Sequence, residues 1–232
     1  MIVLDADIRA YLEAENAYTE ATLALAEPLG RALFDELQGR SKEDDSTVPA
    51  RDGAYEYYVR YKTGGQHPIY CRRPVDSEQA GAEEVLLDGN REARGESFFK
   101  IGGLAHAPDH RRLAYSLDLN GSERFTIHFR DTAVGLALAD EIPDAKGDMV
   151  WANDGRHLYY TVIDDHHRPY RVMRHEVGTP ASADTLVYEE ADSGFFLGIA
   201  RSESGRCVVV TAHDHTTSEI RLIDADRPNA AP

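Results

Sequence analysis

The sequence predicts a mainly β protein, an incomplete β-propeller of about four blades preceded by an N-terminal α-helical arm. Helical periodicity is confined to the first part of the 232-residue chain. After it, short strand-like runs bounded by turn residues recur along the remainder of the chain. Within each recurrence, the distance between two successive strands is nearly constant. These three observations together favour radially repeated sheets over an irregular set of hairpins.

The helical arm is predicted from apolar residues that follow one another at intervals of three and four, which places them on one face of a helix. These residues are Ile8, Tyr11, Ala14, Tyr18, Ala21 and Leu25. Pro28 and Gly30 interrupt the pattern, so we predict helices over about residues 6–26 and 29–38. Residues 41–46 offer nothing apolar to bury and are predicted to be a linker. The predicted domains are therefore 1–46, the arm and linker, and 47–232, the partial propeller.

The β part contains four similar units, which can be aligned on one strand residue each. Aligned on Tyr58, Tyr115, Tyr160 and Val210, the units are 57, 45 and 50 residues apart. A second strand follows in each unit, centred on Ile69, Ile127, Val172 or Leu222, at offsets of 11, 12, 12 and 12 residues. Because a single small sheet cannot bury both of its faces, such units are expected to stack around an axis.

Further strands complete the predicted blades. Outer strands are predicted at residues 85–87 and 186–188, and innermost strands at 98–101, 149–151 and 195–199. Residues 51–232 amount to 182 residues, which at about 45–50 residues per blade makes about four blades. The fourth unit ends soon after its second strand, so we predict that the chain stops inside a blade.

Composition excludes several classes of partner. The chain has 25 Lys and Arg against 41 Asp and Glu, a formal charge of −16. Phosphate binding needs clustered basic residues, which are absent, so no nucleic-acid partner is expected. The negative field favours cationic partners such as basic peptides, although acidic composition also serves solubility. No apolar run reaches the roughly 18–20 residues that span a membrane.

Location and redox state are predicted from the N-terminus and the cysteines. Residues 1–4 are apolar but meet Asp5 at once, which is too short a run for a secretory signal. A cytoplasmic location without membrane attachment is therefore expected. Cys71 and Cys207 lie far apart in the sequence and are predicted to be free thiols.

Candidate nucleophiles fit turns better than an active site. A hydrolase nucleophile on a strand-to-helix elbow is usually written G-x-S-x-G. The nearest approach, around Ser97, lacks the final glycine and precedes a strand, and Ser204 fits a hairpin turn. No catalytic residue is predicted.

Candidate metal ligands occur in two loops. His213 and His215 share one face of an extended segment, and His166 and His167 follow two aspartates. Both loops could hold a metal, but loops are expected to be polar in any case. We therefore predict no metal and no cofactor site.

The remaining features are interpreted as structural. Gly64-Gly65 and Gly102-Gly103 are predicted to be turn or packing glycines, and Trp151 is predicted to be a core residue. The acidic segments 83–84 and 189–192 are predicted to be exposed strand ends.

Several stretches together resemble the N-terminal part of the oligopeptidase B group of serine peptidases, within the prolyl oligopeptidase family. They are YLEAEN at 11–16, PIYCRR at 68–73, EVLLD at 84–88, GSERF at 121–125, VWAND at 150–154, HRPYRVMRH at 167–175, VYEE at 187–190 and HTTSE at 215–219. The matching stretches span nearly all of the chain in the family's order.

The resemblance implies a seven-bladed propeller that caps an α/β-hydrolase domain, with the helical arm packed on the hydrolase. It also implies cleavage of short peptides after Lys or Arg by Ser, Asp and His of that C-terminal domain, with folded proteins excluded by the propeller. No position here matches the catalytic motif, so this chain alone is expected to be inactive. The expected partners are the hydrolase domain, or other copies of the chain through open blade edges. The alternative is a stand-alone propeller-like module that binds a protein or peptide.

Overall fold

The computed structural model describes residues 4–75 and 83–229 and divides into two compact units. One unit comprises the residues up to Ser46 together with Tyr61–Gly65. Its helices are α1, Ala6–Leu23, and α2, Glu27–Gly39, joined by a 3₁₀ turn at Ala24–Ala26. The Asp5 side chain caps α1 by accepting a hydrogen bond from the Asp7 amide at 3.0 Å. Pro28 lies in the first turn of α2, where its missing N–H is not needed.

The second unit, Thr47–Arg60 and the residues from Gln66 onward, contains fourteen described strands, all paired antiparallel. They form four successive groups, which we call blades 1 to 4. Blade 1 has β1 (Ala50–Asp52), β2 (Tyr55–Arg60), β3 (Ile69–Pro74) and β4 (Glu84–Asp88), followed by the short helix α3 (Gly89–Glu92). Blade 2 has β5 (Lys100–His106), β6 (Arg112–Asp118), β7 (Phe125–Asp131) and the first part of β8 (Leu136–Trp151). Blade 3 has the last part of β8, β9 (His157–Ile163), β10 (Pro169–Glu176) and β11 (Thr185–Glu189). Blade 4 has β12 (Phe196–Arg201), β13 (Cys207–His213) and β14 (Ser218–Asp224).

The predicted fold class is confirmed, with one strand that the sequence pattern did not reveal. The outer strand of blade 2 is the first part of β8, which pairs with β7 and then continues as the inner strand of blade 3 beside β9. Asp140, Pro143 and Asp144 interrupt its alternation of apolar and polar residues, so it reads as a loop. Blade 4 has three described strands, and the described sheets form an open series without a closed sheet.

Three apolar cores lie between successive blades. Leu87 of blade 1 packs with Leu113 and Tyr115 of blade 2, and Phe129 of blade 2 packs with Trp151 of blade 3. The third core joins blades 3 and 4, and its buried side chains include Tyr159, Val172, Leu197, Val210 and Ile223. Strands β6 and β9 are buried on both faces because each lies in a blade with neighbours on both sides. This packing is the physical reason for the repeated pattern in the sequence.

A backbone carbonyl in each of three turns accepts a hydrogen bond from the preceding blade. Arg72 donates to the His110 carbonyl at 2.6 Å, and Arg112 donates to the Gly155 carbonyl at 2.7 Å. Asn153 donates to the Gly205 carbonyl at 3.1 Å. The three carbonyls occupy equivalent positions in the turns that join the first two strands of blades 2, 3 and 4. The blades are therefore linked by polar contacts as well as by apolar packing.

A buried ionic cluster connects blades 2 and 3. His175 is fully buried and lies 2.7 Å from Asp184 and 3.2 Å from Asp140 of β8. The Tyr160 hydroxyl also donates to Asp184, at 2.7 Å. Burial disfavours the charged imidazole, but the hydrogen bonds and charges of Asp184 and Asp140 outweigh it and raise the pKa of His175. The two buried carboxylates thus stabilise the charged form of the His175 imidazole.

We expect Arg112→Met to lower the free energy of unfolding by roughly 1–3 kcal/mol, because it leaves the Gly155 carbonyl without its donor. Denaturant unfolding measures the change. Arg111→Met is the matched control, since Arg111 is the exposed neighbour, and it should change stability by less than about 0.5 kcal/mol. Equal effects of the two substitutions would contradict the role of this hydrogen bond.

We expect His175→Gln to destabilise the protein most at acidic pH. The raised pKa of folded His175 contributes stability that is complete below the ordinary value of 6.5 and disappears as the pH rises through the folded pKa. The loss of unfolding free energy in the variant should therefore be largest below pH 6.5 and shrink at alkaline pH. Denaturant unfolding of both proteins from pH 5.5 to 9 tests this. The exposed-loop variant His166→Gln should show no such trend, and a loss that grows with pH would refute the raised pKa of His175.

Candidate functional site

The inner strands of the blades line a cavity of about 810 Å³ in the second unit. Residues from β5, from the end of β8 and from β12 form its wall, together with Asp52 at the end of β1. These are the first strands of their blades, which lie nearest the axis in a propeller. The cavity is therefore the axial surface of the open blade series, and it is the candidate functional site.

Glycines bring the inner strands close together at this surface. A Cβ atom on Gly103 would lie 2.5 Å from the Gly147 carbonyl oxygen, and one on Gly102 would lie 2.6 Å from the Phe125 ring. Gly147 has a φ of +111°, which side chains rarely adopt. Of the two alternatives predicted for Gly102-Gly103, turn or strand packing, the structure shows strand packing, which brings β5 and β8 close together.

The cavity wall carries charges of both signs. Lys100, Lys146 and Arg201 are basic, and Asp52 and Asp148 are acidic. Lys146 lies 3.8 Å from Asp148, within ion-pair distance. The net acidity of the chain is thus not concentrated at this surface, and local attraction for a basic substrate is weak here.

A cluster of three side chains from two blades borders the cavity, and two of them, Asp52 and His106, line it. Asp52 comes from blade 1, and His106 and His110 come from the end of β5 and the following turn in blade 2. A carboxylate oxygen of Asp52 lies 2.8 Å from Nε2 of His106. The Tyr57 ring stacks on the His106 ring with centroids 3.9 Å apart, and its hydroxyl lies 2.8 Å from Nδ1 of His110.

The electrostatics of this cluster follow from its partial burial. Burial lowers the pKa of His106, and the nearby Asp52 carboxylate opposes this effect without reversing it. The hydrogen bond from His106 lowers the pKa of Asp52, against the effect of burial. The cluster therefore favours the ionised form of the Asp52 carboxylate and the neutral form of the His106 imidazole.

The serines and histidines weighed in the sequence lie in exposed positions. Ser97 is exposed and lies three residues before the start of β5. Ser204 lies in the exposed turn between β12 and β13, with its hydroxyl oxygen 3.3 Å from that of Ser202. His213, His215 and His166 are exposed at loop ends. In the loop beyond His213, the Asp214 carboxylate accepts hydrogen bonds from Thr216 and Thr217.

Other sequence features have structural partners. Trp151 is buried and donates to the Ala105 carbonyl at 3.0 Å, as expected of a core residue. Among the acidic segments, Glu83 pairs with Arg60 at 2.7 Å and Glu189 pairs with Arg171 at 2.7 Å. Cys71 and Cys207 are free thiols, as predicted.

Sequence reasoning missed the cluster of Asp52, His106 and His110. A signal for it exists in the aligned turns, where His110 occupies the position held by Gly53, Gly155 and Gly205 in the other units. Glycine satisfies the turn in the other units, so a histidine at this position indicates that the side chain is needed for something other than the turn conformation.

Comparison with known proteins identifies the family. Residues 5–232 match the model of the prolyl oligopeptidase N-terminal β-propeller domain. The chain is 38% identical to dipeptidyl aminopeptidase BI of Pseudoxanthomonas mexicana, over 96% of this chain and 33% of the relative. It is 34% identical to protease 2 of Moraxella lacunata, over 94% of this chain and 32% of the relative. The chain therefore spans about a third of the length of these relatives.

Solved structures agree with the fold. Oligopeptidase B from Leishmania major superposes with a TM-score of 0.89 at 30% identity, covering 97% of this chain and 32% of that protein. Oligopeptidase B from Trypanosoma brucei, in a closed form with covalently bound antipain, gives a TM-score of 0.86 at 30% identity, covering 97% and 31% of the two chains. Among the described residues, no helix is long and apolar enough to cross a membrane. Because residues 5–232 match this domain model and the relatives above are similar over nearly the whole chain, this chain belongs to the prolyl oligopeptidase family and corresponds to the N-terminal β-propeller part of that family's proteins.

Proposed function

We propose that this chain is the non-catalytic, substrate-gating propeller portion of an oligopeptidase B-like serine peptidase that cleaves short peptides after Lys or Arg. The observation that supports this most directly is the likeness to two oligopeptidase B structures over nearly the whole chain, with about a third of their length covered. The reacting groups belong to a hydrolase domain outside the matched region. In this proposal the chain by itself has no peptidase activity.

The axial cavity supports a gating role. Inner strands packed at glycine contacts line an open axial space of about 810 Å³, within the range of small-ligand sites. We propose that the complete propeller of the longer enzyme restricts this space to short peptides. Its wall carries both Lys146 and Asp148 and shows no acidic concentration. We therefore assign the preference for Lys or Arg to the hydrolase part of the enzyme and the size limit to the propeller.

The exposed apolar surface of blade 4 supports a partner that continues the propeller. Register pairs place Phe196, Val209, Ile220 and Leu222 on the face opposite the blade 3 core, and Ile220 and Leu222 are 64% and 57% exposed. Sheet faces of this kind are normally covered in soluble proteins. In the longer enzyme the next blade covers this face, and in the isolated chain another copy covers it.

The apolar stripe of the helices supports a hydrolase partner in the same way. None of the described residues of α1 and α2 is buried, and Tyr18 and Phe34 are among the exposed side chains. We propose that the hydrolase domain covers this stripe. We also propose a cytoplasmic location, because both cysteines are free thiols, as is usual in a reducing compartment.

The proposed function is tested by a chimera in which this chain replaces the matching third of Moraxella lacunata protease 2. We expect the chimera to cleave short peptides after Lys or Arg. It should leave intact a folded protein that contains the same peptide sequences. The chain alone, assayed at the same concentration, should give no cleavage above buffer, because no hydrolase residues are present. Chromogenic peptide assays and gel electrophoresis measure both.

Two outcomes would contradict the proposal. One is cleavage by the purified chain alone, which would place catalytic groups within it. The other is a folded chimera that digests the folded protein as fast as the short peptide, which would remove the size limit. A chain that binds peptides tightly while the folded chimera lacks activity would favour the stand-alone binding module.

We expect the isolated chain to self-associate in a concentration-dependent manner through the blade 4 face, because its edge strand and apolar side chains lack a cover. The double substitution Ile220→Lys with Leu222→Glu should reduce the apparent mass in light scattering towards that of the 25.8 kDa monomer. The matched control is Val134→Lys with Leu136→Glu, two residues outside this face that are each 65% exposed. A wild-type chain that stays monomeric with a cooperative melt would refute the prediction.

A further inference from the structure

We propose that Asp52, His106 and His110 form a binding site for a divalent transition-metal ion of the zinc class between blades 1 and 2. One ligand atom of each residue lies within 4.8 Å of the others. Within residues 4–75 and 83–229, this is the one group of three or more such side chains that the structure brings so close together. The inference concerns a different chemistry from peptide gating and does not depend on the proposed function.

The donor set suits zinc and its neighbours in the transition series. Two imidazole nitrogens and one carboxylate oxygen are common ligands of Zn²⁺, which then keeps a fourth position for water. A tetrahedral zinc ion holds its ligand atoms roughly 3.3 Å apart, from metal–ligand distances near 2.0 Å. The Oδ2 atom of Asp52 and the Nε2 atom of His106 already lie 2.8 Å apart. A ligand atom of His110 lies within 4.8 Å of both, so His110 is the third candidate ligand.

The backbone at His110 provides a second, independent observation. His110 has a φ of +60°, in the left-handed region, which residues other than glycine adopt uncommonly. The equivalent turns contain glycine with nearly the same conformation: Gly53 at +56°, Gly155 at +62° and Gly205 at +69°. The fold would thus be satisfied by glycine at position 110. A histidine in that place, with a ligand atom within 4.8 Å of those of a second histidine and a carboxylate, points to a binding role.

The surroundings orient the ligands. Tyr57 stacks on His106 and hydrogen-bonds Nδ1 of His110 through its hydroxyl, so one aromatic side chain positions both rings. Partners of this kind fix the orientation of ligating histidines in metal sites. The positive charge of nearby Arg72 is paired with Glu84 at 2.7 Å, which limits its repulsion of a cation.

The site is accessible and joins two blades. The Asp52 side chain is 63% exposed, and Asp52 and His106 both line the axial cavity, so an ion can enter from that side. Asp52 belongs to blade 1, and the two histidines belong to blade 2. A bound ion would connect the two blades through its coordination bonds. Because the ion would bind the folded state and not the unfolded chain, it would stabilise the folded state.

The test is a titration of the chelator-treated chain with Zn²⁺ and Co²⁺. We expect one ion per chain, a Co²⁺ absorption spectrum typical of four-coordinate N/O ligation, and a rise in Tm of roughly 5–10 °C at a hundredfold excess over Kd. His110→Gly should weaken binding at least about tenfold. This variant should remain folded, because glycine is the residue that the other turns use. Asp52→Asn is a second variant expected to weaken binding, and it leaves both histidines in place.

The exposed-loop variant His166→Gln is the matched control and should bind like the wild type. Unchanged affinity in a folded His110→Gly protein would overturn the site, as would the absence of binding by the wild type below about 0.1 mM metal. Loss of binding on substitution of His213 or His215, with the three proposed ligands intact, would also overturn it. Binding that is lost in His110→Gly and Asp52→Asn but kept in His166→Gln would establish it.

Discussion

A propeller blade is a small sheet with two apolar faces, and only a neighbouring blade can cover each of them. The three cores of this chain satisfy that constraint for every face between blades 1 and 4. Strand β6 shows the consequence most clearly, because Leu113 packs towards blade 1 while Ala114 packs towards blade 3. The helices of the other unit have no buried side chain among their described residues.

Hydrogen bonds at equivalent positions also connect each blade to the next. The carbonyls of His110, Gly155 and Gly205 each accept a hydrogen bond from the preceding blade, at the same position of the turn. The two ends of the series differ in character. Blade 4 presents Ile220 and Leu222, whereas the outer face of blade 1 carries Arg60 paired with Glu83.

Much of the fold could be predicted from the sequence, because its causes are local. The intervals from Ile8 to Leu25 predict a helix, and alternation along Phe125–Asp131 predicts a strand, without any knowledge of neighbours. The strand β8 could not be predicted in this way. Its first part contains Pro143 and two aspartates, and it forms a strand because β7 and β9 supply hydrogen-bond partners on successive segments. Pairing between distant segments overrides local preference there.

The candidate site shows the same division between local and tertiary causes. The sequence by itself determined the fold class, the family resemblance and the repeated turn in which His110 replaces glycine. Only the tertiary structure decided that Asp52, 54 residues before His106, lies 2.8 Å from it. It also decided that loops around His166 and His213 remain exposed. The physical reason is that alternation along a strand predicts only which face of its sheet a residue occupies. Which residues come into contact between two blades depends on how one blade packs on the next.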